Sequence, residues 1–226
     1  MSRPATKLLR AIIMGAPGSG KGTISSRIVH DFGVKHISSG DLLRKQIQDK
    51  TANGMAAKRY IDVGELVPDN VMLTMILNEL NHLQNHNWLL DGFPRTVEQA
   101  KALIRSQPID IVINLRVPFE VIIDRIKGRW THLPSGRIYH TEFNPPKKTG
   151  LDDVTGEPLV QRDDDKEETV KARLEHYRRL THPVLQFFRN KGVVEEFSGN
   201  YSNELWPQVH DALAKVMTPL KYTHYE

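Results

Sequence analysis

The 226 residues contain no cysteine, so neither disulfides nor thiolate metal sites can hold this fold together. The apolar runs are far shorter than the ~18–20 residues a membrane-crossing helix needs, which argues against a membrane protein. No cluster interleaves basic and aromatic residues in the way that stacks bases, which argues against a nucleic-acid partner. No internal repeat is evident. The net charge is a modest +4 and 26% of residues are charged, an ordinary share for a globular chain. The length suffices for one large α/β domain, or a core with small inserts. The first ten residues, MSRPATKLLR, are basic and free of acids. They read either as the edge of a mitochondrial import signal or as an exposed basic tail. Because they run straight into the first strand pattern, they make a poor cleavable presequence.

What the chain does have begins with GAPGSGKGT, Gly15 to Thr23. The spacing Gly15-x4-Gly20-Lys21 fits a phosphate loop, in which backbone N–H groups surround phosphates and the lysine meets their outer oxygens. An apolar run, Leu8 to Met14, precedes it, and Thr23 to His30 predicts a helix whose N-terminus would face an anion. Gly18, Gly20 and Gly22 permit close approach of the backbone. One departure stands out: Gly22 follows Lys21, and the hydroxyl comes one place later, on Thr23.

Further apolar runs at Val34–Ile37, Trp88–Leu90, Ile109–Val117 and Val193–Phe197 alternate with helical stretches. This predicts an α/β fold with a five-stranded parallel sheet covered on both faces. Between the second and third strands, Asp41 is expected to cap one helix and Pro68-Asp69 to open another, with Met72, Ile76, Leu80 and Leu83 on one face. Gly128 to Asp165, rich in glycine, proline and turn pairs, predicts a small β-rich excursion. A long helix should follow from Glu167, with Pro183 bending or breaking it.

The third strand ends in DGFPRT, where Asp91 is placed to hold magnesium directly or through water. Arg44, Arg95, Arg129, Arg162 and Arg173 fall at strand ends and insert borders. Planar guanidinium groups there suit clamping two polyphosphates, which also accounts for the basic balance. A nucleotide switch is a poor alternative: DVTG at Asp153–Gly156 lies away from any predicted strand end, and NKGV at Asn190 lacks the guanine-reading aspartate.

GAPGSGKGT, SSGDLLR, LLDGFPRT, GRW, SGRIYH, FNPP, DDVTGEPLVQRDDD and ETVKARL follow, in order, the motifs of the long-lid adenylate kinase family, which the chain resembles from about residue 8 to 217. Trp130 and the late segment EEFSGNYSNELWPQV are similar to the mitochondrial branch that uses GTP to phosphorylate AMP. A neighbouring branch typically lacks the aspartate and arginine that stand here as Asp41 and Arg162, so their presence argues for an active kinase. The resemblance implies a P-loop nucleoside monophosphate kinase with core segments 1–37, 68–127 and 166–226, a helical AMP-binding insert at 38–67 and a lid at 128–165. It implies that Ser39, Arg44, Glu65 (by its backbone), Val67, Gly92, Arg95, Gln99, Arg162 and Arg173 bind AMP. Gly18, Gly20, Lys21, Gly22, Thr23, Arg129, Tyr139, His140 and Ser202 would bind the donor, GTP or ATP. Lys21, Arg95, Arg129, Arg162 and Arg173 would serve catalysis, and Asp91, assisted by Asp164, would organise hydrated Mg²⁺. A monomer in the mitochondrial matrix is the expectation. Some relatives fold the lid around zinc; here the matching places are His132, Ser135, Asp152 and Thr155. Hydroxyls are poor zinc ligands, so a hydrogen-bonded quartet without zinc is expected.

Overall fold

The computed structural model describes residues 7–62 and 65–225, so the first six residues of the basic tail lie outside it. In chain order the strands are β1 Arg10–Gly15, β2 Lys35–Ser38, β3 Trp88–Asp91, β4 Ile111–Arg116, β5 Arg129–Thr131, β6 Ile138–His140 and β7 Val194–Ser198. The helices are α1 Lys21–Phe32, α2 Ser39–Gln48, α3 Ala52–Asp62, α4 Asp69–His82, α5 Val97–Ser106, α6 Phe119–Lys127, α7 Glu167–His176, α8 His182–Arg189 and α9 Ser202–Ala214.

Five strands make one parallel sheet in the order β2-β3-β1-β4-β7. Alternate residues serve opposite faces, as the pleat requires. Ile13, Leu89 and Ile113 pack under α1, α6 and α9, whereas Ile12, Leu90 and Val112 pack under α4, α5 and α8. Both faces are therefore apolar, and that is why the strands show as unbroken hydrophobic runs. After β1 the chain winds to one side of the sheet, and after β3 it crosses to the other. The crevice beyond the C-terminal end of β1 is thus a topological switch point, where open α/β sheets bind ligands.

Local chemistry moves several helix boundaries from their expected places. α1 starts at Lys21, two residues early, after Gly20 in the left-handed region at φ 90°. Ser38, not Asp41, caps α2: its hydroxyl accepts from the Asp41 N–H at 3.2 Å. α3 had no clear signal in the sequence. It packs on α2 so closely that a β-carbon on Gly54 would lie 2.1 Å from the Gln46 carbonyl oxygen. Pro183 does not break the helix that follows the lid. The path runs on through one turn of π-helix, Tyr177–Thr181, and Pro183 falls in the first turn of α8, where a missing N–H costs little.

Residues 128–165 form the β-rich excursion, with β5 and β6 antiparallel and further bridges at Thr131–Val160, His140–Asn144 and Leu151–Pro158. It lies down over the phosphate loop. A β-carbon on Gly22 would come within 2.6 Å of the Ile138 side chain, and one on Gly136 within 3.1 Å of the Asp41 carboxylate. No helix among the described residues is long and apolar enough to cross a membrane.

Candidate active site

A cleft of about 1100 Å³ opens at the switch point, lined by Gly18, Gly20, Lys21, Gly22, Thr23, Asp91, Arg129, Tyr139, His140, Arg162 and Ser202. Arg44, Gly92, Arg95 and Arg173 line both this cleft and a recess of about 60 Å³ beside it, where Glu65, Val67 and Gln99 also lie. The sequence-selected residues therefore gather at one place, with those four at the junction. Ser39 is the exception. It is fully buried and unbonded at its hydroxyl, which stands behind Gly92 (φ 79°), so it is one layer back from the surface.

In the loop, Lys21 Nζ donates to the Gly15 and Ala16 carbonyls, both at 2.9 Å. Burial pushes its pKa down to about 8, against the attraction of Asp91 and with Arg95, Arg173 and Arg129 adding repulsion. Asp91 ends β3 in register with Ile13 of β1 and Ser38 of β2. Its carboxylate lies 3.7 Å from His36 Nε2.

Beside the smaller recess, the Arg95 turn is built from within. Arg95 Nε donates to the Gly92 carbonyl at 2.7 Å, and its N–H donates to Gln99 Oε1 at 2.7 Å. Gln99 Nε2 donates to Asp69 Oδ1 at 2.7 Å, so this amide ties the turn to the start of α4. Arg44 pairs with Asp41. The Glu65 N–H is committed to the Tyr60 carbonyl at 2.8 Å, which leaves its carbonyl as the backbone group for a ligand.

On the excursion, Arg129 forms a two-pronged pair with Asp165, the side chains only 13% and 6% exposed. Arg162 Nε donates to Thr131 Oγ1 at 3.0 Å. The Asp164 side chain lies outside the described residues. Tyr139 OH donates to Asp152 and accepts from the Asp153 N–H, both at 2.9 Å, so its hydroxyl is already engaged. His140 Nδ1 accepts from the Glu142 and Phe143 N–H groups at 3.0 and 3.2 Å, and burial lowers its pKa.

His132, Ser135, Asp152 and Thr155 meet as a hydrogen-bonded group. His132 bonds Ser135 at 2.7 Å, and Thr155 bonds Asp152 at 3.0 Å. Glu157 joins at His132 Nε2, 2.7 Å away, and Arg137 grips Asp152 with two bonds of 2.7 and 2.8 Å. Arg137 holds the Asp152 carboxyl far below the usual range; the N–H and hydroxyl of Thr155 and the Tyr139 hydroxyl add to this. No group of three or more His, Cys, Asp or Glu among the described residues is arranged to hold a metal ion.

The adenylate kinase family model matches residues 13–193, most of the chain, including the phosphate loop, Asp91 and the five arginines of the cleft. The chain belongs to the adenylate kinase family. A curated relative, the mitochondrial GTP:AMP phosphotransferase of Drosophila melanogaster, is 50% identical over 204 residues, spanning 90% of this chain and 94% of the relative.

In this adenylate kinase, several cleft residues carry no mark in the sequence. Arg125 donates to the Asn200 carbonyl and lies over the Tyr201 ring at 5.9 Å. Phe143 bridges from His140 to Tyr201, at ring distances of 4.4 and 5.6 Å. Arg27 and Asn203 line the same end, as do Thr223 and Tyr225 of the C-terminal tail. Asp165 is one of three successive aspartates, and only the fold picks it out as the partner of Arg129. For Mg²⁺ the donor set fits: the Asp91 carboxylate at the end of β3 lines the cleft beside the loop, with the Thr23 hydroxyl also on the cleft wall. An ion held there would keep most of its waters and take its other ligands from phosphates.

Proposed function

We propose that this adenylate kinase family member catalyses the reversible transfer of a phosphoryl group from Mg·GTP to AMP, giving GDP and ADP, in the mitochondrial matrix. One observation carries the reading: Lys21, Arg95, Arg129, Arg162 and Arg173 converge on one cleft with Asp91, at the mouth of a smaller recess. GTP is the donor by likeness to the Drosophila melanogaster relative. Trp130 and the segment EEFSGNYSNELWPQV support the same branch.

The phosphate of AMP lies among Arg44, Arg95 and Arg173, and the donor phosphates lie in the loop around Lys21. A phosphate oxygen of AMP attacks the γ-phosphorus in line. It is already anionic, so no general base is required. Catalysis is then positioning and electrostatic stabilisation by the five cations. Magnesium, held through water by Asp91, would offset charge on the donor phosphates. Water is the competing nucleophile. The segments 38–67 and 128–165 act as two closing inserts, and the approach of Gly136 to Asp41 supports their meeting over the substrates.

Initial rates of ADP formation from AMP, with GTP, ITP and ATP at equal magnesium, test the proposal. GTP and ITP well ahead of ATP is the expected outcome. ATP ahead would make this an ATP:AMP adenylate kinase with the same arginine roles. No transfer with any donor would overturn the catalytic reading.

A further inference from the structure

The donor end of the cleft is walled by α1, the start of α9 and the C-terminal tail. Thr23 and Arg27 stand one helical turn apart, about 6 Å along α1. Both line the cleft, so a nucleoside whose phosphates occupy the loop has room to extend toward Arg27. That side chain is buried, 9% exposed, and three groups fix it. Nη1 donates to the Ser202 carbonyl at 3.0 Å, Nη2 donates to Asn203 Oδ1 at 2.5 Å, and the Tyr225 ring covers the guanidinium at 4.0 Å.

A guanidinium has donors and no acceptor, so the Asn203 amide must turn its oxygen to Arg27 and its Nδ2 away. No described residue accepts a hydrogen bond from that Nδ2, and Asn203 is exposed on the cleft wall. Tyr225 is held in turn. Thr223 donates its N–H and hydroxyl to the buried Asp31 at 2.8 and 3.0 Å, and Trp206 Nε1 donates to the Thr223 carbonyl at 3.2 Å.

We propose that Asn203, oriented by Arg27 and Tyr225, reads the six-position of the donor base through Nδ2. A six-oxopurine (guanine or hypoxanthine) presents an acceptor there. Adenine presents an amine, so two donors would face each other with nothing between them. The inference rests on the GTP reading above and assigns its selectivity to one amide.

The test compares kcat/KM for GTP, ITP and ATP in wild type, Asn203→Asp and Asn203→Ala, with thermal melting as the check on folding. Asp at this position keeps an acceptor for Arg27 but offers no donor. The ratios of GTP to ATP and of ITP to ATP should both fall about tenfold or more from their wild-type values. In Asn203→Ala they should fall through loss of GTP and ITP turnover alone. Arg27→Met, which frees the amide to rotate, should narrow the same ratios; this shift in selectivity is what a merely structural arginine would not produce. Ratios within twofold of wild type in both Asn203 variants overturn the proposal. A fall for GTP but not for ITP also overturns it, because the two-amino group would then be what is read. Each comparison is made against wild type, so a wild-type preference for ATP defeats the GTP reading without deciding the role of Asn203.

Discussion

Lys21 should titrate far below an ordinary lysine, and donor binding should return its proton. Its pKa falls from 10.5 to about 8, first through burial and then through the repulsion of Arg95, Arg173 and Arg129, with Asp91 opposing. A shift of this size is worth about 3 kcal/mol between the two protonation states. In the free protein about nine in ten molecules carry the charge at pH 7 and about one in ten at pH 9. Donor phosphates add negative charge beside Nζ and raise the pKa again. GTP binding without Mg²⁺ at pH 9 should therefore take up close to one proton, and at pH 7 only a small fraction. Calorimetry in buffers of differing ionisation enthalpy reads this directly, with Lys21→Met as the variant that takes up none. The stability consequence has a definite sign. The folded pKa lies below the unfolded one, so burying the ammonium costs stability in full below pH 8. Between pH 8 and 10.5 the unfolded chain binds a proton that the folded one does not, and stability rises with pH across that window. An Nζ titration near 10.5 by NMR, with no proton uptake at pH 9, would refute the argument.

Arg129→Ala should slow transfer by about 10³-fold, roughly 4 kcal/mol of barrier, in single-turnover assays. It should also lower the melting temperature, because Asp165 is left buried without its partner. Wild-type turnover in the folded variant would remove Arg129 from the mechanism. Asp152→Ala strips the acceptor from Arg137, Tyr139, Thr155 and the Val154 N–H at once. Hydrogen exchange should then lose protection across residues 129–160 while the amides of the central sheet keep theirs. Equal protection in both proteins would count against the hydrogen-bonded group as the lid's support.

The parallel sheet was legible because both its faces are buried, which leaves unbroken apolar runs between the loops. The phosphate loop was legible because its chemistry is local. α3 was not: apart from Ala57 and Gly54, its described side chains are half-buried or exposed, so no strong periodicity marks it. Ser38 and Asp41 are both good caps, and only the chain path decides between them. Arg27 and Asn203 are ordinary helix-surface residue types, 176 positions apart, and nothing local announces their pairing. Gln99 was expected to bind AMP, yet its amide also holds the Arg95 turn in place, a role visible only once Asp69 is beside it.

The contact between Ile138 and Gly22 turns the loop's departure from the usual spacing into a matter of clearance. A serine or threonine directly after Lys21 would put a β-carbon 2.6 Å from the terminal methyl of Ile138, and that side chain would have to turn aside. Ile138 and Gly22 therefore behave as a matched large–small pair, one on the phosphate loop and one on the excursion that lies over it. With no side chain beside its lysine, the loop offers bare backbone to an apolar contact from the excursion.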